Sequence, residues 1–309
     1  MPNKICCVCD TPIEGAVKQL GSRLFCEQHY NKVAHNRKGT WISTIGLIVG
    51  LVLFALIVST VGSSLTTSLS TGGLILAGIL LSIIPAVLWL TIFYLQDRVE
   101  PEPKSYVFGI FVIGLLLARA VGQPLIHDVF EVNTWSSDSL GLQIISGILV
   151  VGMIQEFLKY SAVRYSVFRS QEFDERIDGI IYGAAAGLGY ATMLNIDYVI
   201  ASDGVSLSVG VVRIVVAALA HASFAGVMGY FLGRAKFENM GPFWLPAGLL
   251  LAAILNGVVT VALGVITRSG FQVTPINGLI LAAVVAMVTF GVLFAIMQSN
   301  NRALATQAS

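Results

Sequence analysis

Eight apolar segments, each long enough to cross a lipid bilayer, constrain this chain more than any other feature of its sequence. A membrane-spanning helix needs about 20 consecutive, mainly apolar residues. The chain is 56% hydrophobic and only 11% charged, whereas a soluble domain usually carries about 25% charged residues. The sequence therefore predicts an all-α polytopic membrane protein. The predicted spans lie near residues 41–62, 73–95, 105–124, 140–163, 178–200, 206–233, 242–267 and 275–297.

The distribution of Lys and Arg predicts the orientation of these segments. Cytoplasmic loops of membrane proteins carry an excess of Lys and Arg. If the N-terminus lies inside, fourteen of the eighteen Lys and Arg residues fall in inner segments, and only Arg268 falls in an outer loop. We therefore expect a multi-pass protein of the plasma or cytoplasmic membrane, with both termini in the cytoplasm.

The cysteines indicate a small metal site ahead of the apolar segments. Cys6-x-x-Cys9 and Cys26-x-x-His29 have the spacing of a tetrahedral structural zinc site. Between them, Val17–Phe25 reads as two short strands around a Gly-Ser turn, which would bring the two pairs together. Cys7 is a spare cysteine, and His35 is an alternative ligand with a less suitable spacing. The predicted finger resembles half of a LIM-type or treble-clef finger. Its expected zinc ligands are Cys6, Cys9, Cys26 and His29.

These features divide the chain into four predicted regions. Residues 1–35 form a cytosolic zinc-binding finger, and residues 36–40 form a basic linker to the membrane. Residues 41–298 form the eight-helix transmembrane domain, and residues 299–309 form a cytosolic tail. Because so small a finger has little hydrophobic core, we expect it to need its metal in order to fold.

Strongly polar side chains inside the spans mark a candidate functional site. Glu156 and Lys159 are three residues apart, so on a helix they share one face. Ionisable residues in a span usually face the bundle interior or a wet cavity. One carboxylate, one imidazole and two amides in such a cavity could deprotonate a water molecule, or they could form a proton or solute pathway. A buried ion pair that only stabilises packing is the structural alternative. Further strongly polar residues of the spans include Arg119, Gln123, Asn195, Arg213, His221 and Asn256.

Glycines in the fifth span predict a close contact between helices. Gly179, Gly183 and Gly187 recur every four residues and therefore lie on one helix face. A face of small residues lets the backbone of a second helix approach closely. We expect a packing role for these glycines.

Five stretches of the chain carry recognisable motifs. They are Gln96–Pro103, Gln155–Lys159, Phe173–Gly183, Gly187–Ala191, and His221–Phe224 followed by Gly229–Gly233. In this order they resemble the DRxEPEP loop, EExxK, FDxxxDGxxYG, GLGFA and histidine-helix motifs of the PrsW family of intramembrane proteases. The resemblance covers about residues 75–260, and the finger is not part of the usual family core. The wider superfamily includes CAAX prenyl endopeptidases and bacteriocin-immunity-type membrane proteases.

This resemblance implies an intramembrane endopeptidase that cuts membrane-anchored proteins, as in the regulated proteolysis of anti-sigma factors. In the mechanism that we favour, Glu156 is the general base and proton shuttle for a water molecule, and His221 binds that water or stabilises the oxyanion. Asn195 and Asn256 would donate hydrogen bonds to that water. Lys159 would pair with Glu156 and keep it ionised.

The sequence departs from the family pattern near these residues. Gln155 stands where the family has the first glutamate of EExxK, and Leu194 stands where a glutamate usually precedes the asparagine. A second histidine, often found on a later helix, is absent near Asn256. The family has been described as metalloproteases, but one Glu, one His and two Asn make a poor zinc site, so no cofactor is predicted in the membrane.

Two other functional classes stay open. A catalytically inactive relative would use the same cavity to bind membrane proteins, and Gln155 and Leu194 favour this reading. A transporter would use the polar residues as a relay, but the sequence has no detectable inverted repeat or broken helix pair. The expected partners are a membrane-anchored protein substrate and the lipid bilayer, with no nucleic acid, and a protein partner of the finger is left open.

Overall fold

The computed structural model describes residues 4–13, 15, 17–20, 23–34, 40–66, 69–96, 103–203, 207–269 and 272–307. The N-terminal module has an antiparallel hairpin, β1 (Lys18–Leu20) and β2 (Arg23–Phe25), followed by α1 (Glu27–Ala34). A second hairpin, β3 (Arg268–Ser269) and β4 (Gln272–Val273), lies near the end of the chain. The other helices are α2 (Thr40–Thr66), α3 (Thr71–Gln96), α4 (Lys104–Leu117), α5 (Val132–Trp135), α6 (Leu140–Ser146), α7 (Met153–Arg164), α8 (Asp178–Ala201), α9 (Leu207–Phe237), α10 (Trp244–Thr267) and α11 (Pro275–Gln307).

Eight helical stretches within the described residues are long and apolar enough to cross a membrane, which confirms the predicted fold class. Seven of them begin and end within four residues of the predicted spans. The third instead extends to Asp138. Two π-helical turns, Ala118–Gly122 and Leu125–Val129, flank Pro124. Because proline lacks a backbone N–H, the regular α-helical bonding is interrupted there, and the wider turns let the helix continue.

Helices α8 and α9 form the centre of the bundle. In each, 83% of the most apolar stretch is buried, against 22% to 39% in the other six spans. Their backbones touch along the predicted glycine face. A Cβ atom added at Gly179 would lie 2.2 Å from the carbonyl oxygen of Gly229, and one added at Gly187 would lie 2.3 Å from that of His221. The close packing predicted for the glycines is confirmed, and it places the His221 backbone against α8.

The N-terminal module packs against one end of the bundle, which we call the finger side. The fully buried ring of Phe25, at the end of β2, stacks on Phe237 at the end of α9, with 6.4 Å between ring centroids. Phe237 stacks in turn on Phe173 at 6.2 Å, and Phe173 stacks on Tyr182 at 5.7 Å. A continuous row of aromatic rings therefore joins the module to the first turns of α8.

The DRxEPEP-like loop falls largely outside this description. Residues 97–102, most of the loop, lie outside the described residues, as does His35, the alternative zinc ligand. The FDxxxDG-like stretch is described. Its Asp178 begins α8 and accepts a hydrogen bond from the backbone N–H of Glu175, 2.5 Å away, so this carboxylate caps the turn that leads into the helix.

Candidate functional site

Two helices come into backbone contact beside the polar residues. Helix α7 follows a π-helical turn, Gly147–Gly152. A Cβ atom added at Gly152 would lie 2.5 Å from the carbonyl oxygen of Ala253, and one added at Gly257 would lie 2.5 Å from the carbonyl carbon of Gly147. Because no side chain separates these backbones, α7 and α10 bring their next polar side chains within hydrogen-bonding distance of each other.

Five side chains from three helices meet inside the bundle, and we call them the polar cluster. Each is at most 7% exposed, although residues up to 101 positions apart in sequence are in contact. Buried polar groups are unfavourable unless they are hydrogen-bonded, so a cluster of this kind is a candidate functional site. The members are Gln155, Glu156 and Lys159 from α7, His221 from α9, and Asn256 from α10.

The two oxygens of the Glu156 carboxylate have different surroundings. Oε1 accepts a hydrogen bond from the Lys159 ammonium and another from the amide of Asn256, whose Nδ2 lies 2.7 Å away. Oε2 is buried and accepts no hydrogen bond from any residue that the structure describes. One oxygen therefore holds the carboxylate in place, and the other remains available to a molecule that enters the cluster.

Lys159 links the carboxylate to the histidine. Its Nζ lies 3.2 Å from Nδ1 of His221, and both side chains are buried. An ammonium group has only donors, so Nδ1 must accept this hydrogen bond. A neutral imidazole with Nδ1 as the acceptor carries its proton on Nε2. His221 would then present an N–H donor from Nε2, on the side of the ring away from Lys159.

Asn256 is oriented by a residue that sequence reasoning missed. Its Nδ2 donates to Gln155 Oε1 at 2.9 Å as well as to Glu156, while its Oδ1 accepts a hydrogen bond from the Thr260 hydroxyl at 3.2 Å. Thr260 follows Asn256 by four residues, so the helical spacing was a readable signal. Gln155 is thus a hydrogen-bond acceptor for Asn256. Its position in the EExxK-like stretch did not predict this role.

The other predicted polar residues lie elsewhere. Asn195 is buried near the far end of α8, where its amide donates to the backbone oxygen of Ile214 on α9 at 3.2 Å. No described hydrogen bond joins Asn195 to the polar cluster, so its catalytic role stays a prediction. Arg213 is exposed, and its guanidinium carbon lies 3.4 Å from the centroid of the Tyr198 ring. Arg119 forms an ion pair with Asp197, with 3.6 Å between Nη1 and Oδ1.

Replacing Lys159 with methionine tests the ion pair. The variant keeps the length of the side chain but leaves the buried Glu156 carboxylate without its cation, so we expect a loss of about 3–5 kcal/mol in the free energy of unfolding. Denaturation in detergent micelles measures the loss. The matched control, Glu156→Gln with Lys159→Met, removes both charges and should recover most of the lost free energy of unfolding. A Lys159→Met protein as stable as the wild type would show that the pair does not stabilise the fold.

The polar cluster does not fit a catalytic zinc ion. Such sites use three protein ligands, drawn from His, Glu, Asp and Cys. The cluster offers one carboxylate and one imidazole, and its remaining members are two amides and an ammonium. Both Glu156 Oε1 and His221 Nδ1 already face the Lys159 cation, which would repel a metal ion. No catalytic step is therefore assigned to a metal here.

The N-terminal module has the donor set of a metal site. Cys6, Cys9, Cys26 and His29 place their ligand atoms within 4.8 Å of one another, and no other such group of His, Cys, Asp and Glu occurs among the described residues. His29 Nδ1 lies 3.1 Å from the Cys26 sulfur and 3.8 Å from the Cys6 sulfur. In a tetrahedral zinc site with bonds of about 2.0–2.3 Å, neighbouring ligand atoms are separated by similar distances. The predicted ligands therefore fit a structural metal ion.

Burial and neighbouring groups shift the pKa values of two side chains outside the membrane segments, Cys26 and Arg176. Burial raises the pKa of the Cys26 thiol, and the neighbouring Cys6 adds to the rise. Two thiolates this close repel each other, and a bound cation would favour them. On the finger side, burial lowers the pKa of Arg176, while the Glu238 carboxylate, 3.1 Å away, opposes the change.

Comparisons with known proteins identify the family. A model described as PrsW family intramembrane metalloprotease matches residues 102–297, beyond the finger and the first two membrane helices. Protease PrsW from Geobacillus kaustophilus is 34% identical over 175 residues, which are 56% of this chain and 74% of the relative. Protease PrsW from Bacillus subtilis is 32% identical over 177 residues, 57% of this chain and 77% of the relative. No solved structure matches the chain significantly. The chain therefore belongs to the PrsW family of intramembrane proteases.

Proposed function

We propose that this protein is an intramembrane endopeptidase in which Glu156 activates a water molecule. The observation that carries the proposal is the buried Glu156 carboxylate, with Oε1 held by two donors and Oε2 free of described partners. A general base must be ionised, correctly oriented and accessible to the proton that it accepts. Its position within an eight-span bundle of the PrsW family supports a peptide bond in or beside the membrane as the target.

The proposed reaction needs only groups of this chain, water and a peptide bond. Glu156 Oε2 accepts a proton from water as the water oxygen attacks the peptide carbonyl carbon. The Nε2–H of His221 donates a hydrogen bond to the carbonyl oxygen as negative charge develops there. Glu156 then delivers the proton to the leaving nitrogen, and the peptide C–N bond breaks. The products are one new carboxyl end and one new amino end.

Lys159 and Asn256 would be positioning residues. The Lys159 ammonium neutralises the carboxylate in an environment of low dielectric constant, where an isolated charge is unfavourable. Asn256 fixes the plane of the carboxylate through Oε1 and leaves Oε2 for water. Asn195, tied to the α9 backbone, would support the reaction by keeping α8 and α9 in register.

Membrane-anchored proteins are the proposed substrates, with the bilayer as the medium in which they meet the enzyme. The family relation supports this substrate class. Cleavage of such a substrate would serve regulated intramembrane proteolysis. A catalytically inactive relative that binds membrane helices is the second candidate. It is favoured by Gln155, which supplies an amide where the resembled motif has a carboxylate.

The finger would hold zinc through Cys6, Cys9, Cys26 and His29. Bound there, the metal would supply structure, because four protein ligands leave no position for a substrate. The stacking of Phe25 on Phe237 would place the finger on the end of the bundle.

Mapping the cut tests the proposed reaction. The purified protein, in liposomes, would be given tagged single-span proteins, and mass spectrometry would identify the new ends of the fragments. We expect ends within the span or a few residues from it, formed by addition of one water. Fragments with ends only in distant soluble regions would contradict intramembrane cleavage.

Labelling of introduced cysteines tests the proposed orientation, in which both termini are cytoplasmic. Ser137 and Gln171 are exposed and lie on either side of the fourth span, Ser137 before it and Gln171 after it. A maleimide that cannot cross membranes should label a Ser137→Cys variant in intact cells, but a Gln171→Cys variant only after permeabilisation. The unmodified chain is the control, because its own cysteines should label only in permeabilised cells. The reverse pattern would contradict the orientation.

A further inference from the structure

The hydroxyl of Tyr190 is a buried polar group for which the described residues provide no partner. Tyr190 lies on α8 and is fully buried, yet its phenolic oxygen makes no hydrogen bond with any described residue. Leaving a buried hydroxyl unpaired is unfavourable, so a group that only filled space would be better as phenylalanine. The GLGFA motif that this stretch resembles has phenylalanine at the same place.

The Tyr190 ring forms part of the wall of the polar cluster. Its centroid lies 5.5 Å from the Lys159 ammonium and 5.8 Å from the centroid of the His221 ring. Lys159 in turn donates a hydrogen bond to the Glu156 carboxylate. The Tyr190 ring is therefore beside the lysine and the histidine of the polar cluster.

The helix opposite Tyr190 leaves room for the hydroxyl. Gly122 ends the π-helical turn Ala118–Gly122, and a Cβ atom added there would lie 2.1 Å from the Tyr190 oxygen. Only glycine at position 122 allows the hydroxyl to occupy this place. Turns of the π type are often found at functional sites.

We infer that the Tyr190 hydroxyl is a catalytic hydrogen-bond donor, which binds the carbonyl oxygen of the scissile peptide together with His221. This role rests on the proposed function. The developing oxyanion needs donors, whereas Glu156 Oε2 only accepts. Tyr190 would supply the second donor beside the Nε2–H of His221, and its unpaired hydroxyl would gain its partner when the substrate enters.

The test compares tyrosine-to-phenylalanine variants of the full-length protein in liposomes, with a tagged single-span protein as substrate. Removing one oxyanion donor usually lowers kcat by about 100-fold or more. We expect Tyr190→Phe to lower kcat by about that factor, with KM changed less than about twofold. Its melting temperature should not fall, because no hydrogen bond between described residues is lost. Tyr182→Phe is the matched control, since Tyr182 is equally buried but its hydroxyl donates to the Glu172 backbone oxygen at 3.4 Å.

A second variant reaches the same hydroxyl from the opposite helix. Gly122→Ala should displace the Tyr190 oxygen and lower kcat, and adding it to Tyr190→Phe should cause little further loss. If Tyr190→Phe keeps the wild-type kcat while Glu156→Gln loses cleavage, the role of Tyr190 is overturned and the proposed function stands. A lowered melting temperature with unchanged kcat would likewise overturn it, as evidence of a structural bond. Cleavage that persists undiminished in Glu156→Gln would instead overturn the proposed function.

Discussion

Glu156→Gln, His221→Ala and the double variant will show nearly the same residual cleavage, about 10³-fold or more below the wild type. General base catalysis contributes about 10²–10⁴-fold, and an oxyanion donor contributes a comparable factor. If both residues act in one step, either substitution disables the step, and the second removes little that remains. Glutamine preserves the size of Glu156 and can still accept a hydrogen bond at one oxygen, so the loss would report the missing base.

Rates of cleavage in liposomes, normalised to folded protein, measure this effect. Glu172→Gln is the control, because Glu172 is an exposed carboxylate on the finger side and should leave the rate unchanged. If the cleavage rate of the double variant instead falls by the product of the two single effects, Glu156 and His221 act in separate steps. Each variant must also keep the melting temperature of a folded bundle.

Removing the metal proposed for the N-terminal module will unfold that module while the membrane helices stay folded. Metal binding supplies about 10–16 kcal/mol to the folding of small zinc modules. Few hydrophobic residues of this module are buried, so a chelator or Cys26→Ser should make residues 4–34 sensitive to protease. The Phe25 ring would leave Phe237 at the same time. The metal content should fall from about one ion per chain to near zero, as measured by elemental analysis of the full-length protein.

Cys7 provides a matched control for the metal site. It is a cysteine of the same module but is not one of the four grouped ligands. A Cys7→Ser variant should therefore keep its metal and its resistance to protease. Loss of metal from Cys7→Ser, or full retention by Cys26→Ser, would contradict the proposed ligands.

The membrane helices were predictable because the bilayer itself imposes their length and composition. Seven of the eight apolar runs became helices within four residues of their predicted spans, and the Gly179, Gly183 and Gly187 face packed as expected. The hairpin around residues 18–25 was readable from its turn and strand residues. The π-helical turns around Pro124 were not, because they depend on how α4 adjusts to a proline that apolarity alone does not disclose.

The site was predictable only in part, because hydrogen bonds between helices depend on the rotation and depth of each helix. Glu156 and Lys159 share one helix, so their pairing followed from spacing. The contact of Asn256 with Glu156 instead arises from the close approach of α7 and α10, where Gly152 and Gly257 carry no side chain that would separate the backbones. The contact of Lys159 with His221 depends on how α9 lies against α7.

Asn195 and Tyr190 show that the type of a residue does not predict its contacts. Asn195 has the residue type expected of a site amide, but it bonds to the α9 backbone. Tyr190 looked like part of an apolar motif, but its ring lies beside the polar cluster and its hydroxyl has no partner among the described residues. Residue type alone could not separate these two cases, since both depend on which neighbouring helix each side chain meets.

Cleavage of a tagged single-span protein by purified protein in liposomes, compared between the wild type and Glu156→Gln, tests the central claim most directly. The account predicts fragments with the wild type and essentially none with a folded Glu156→Gln protein. A folded wild type that releases no fragments from any of a varied set of anchored substrates would favour a binding role over an enzyme. Equal cleavage by both proteins would show that Glu156 is not the catalytic base.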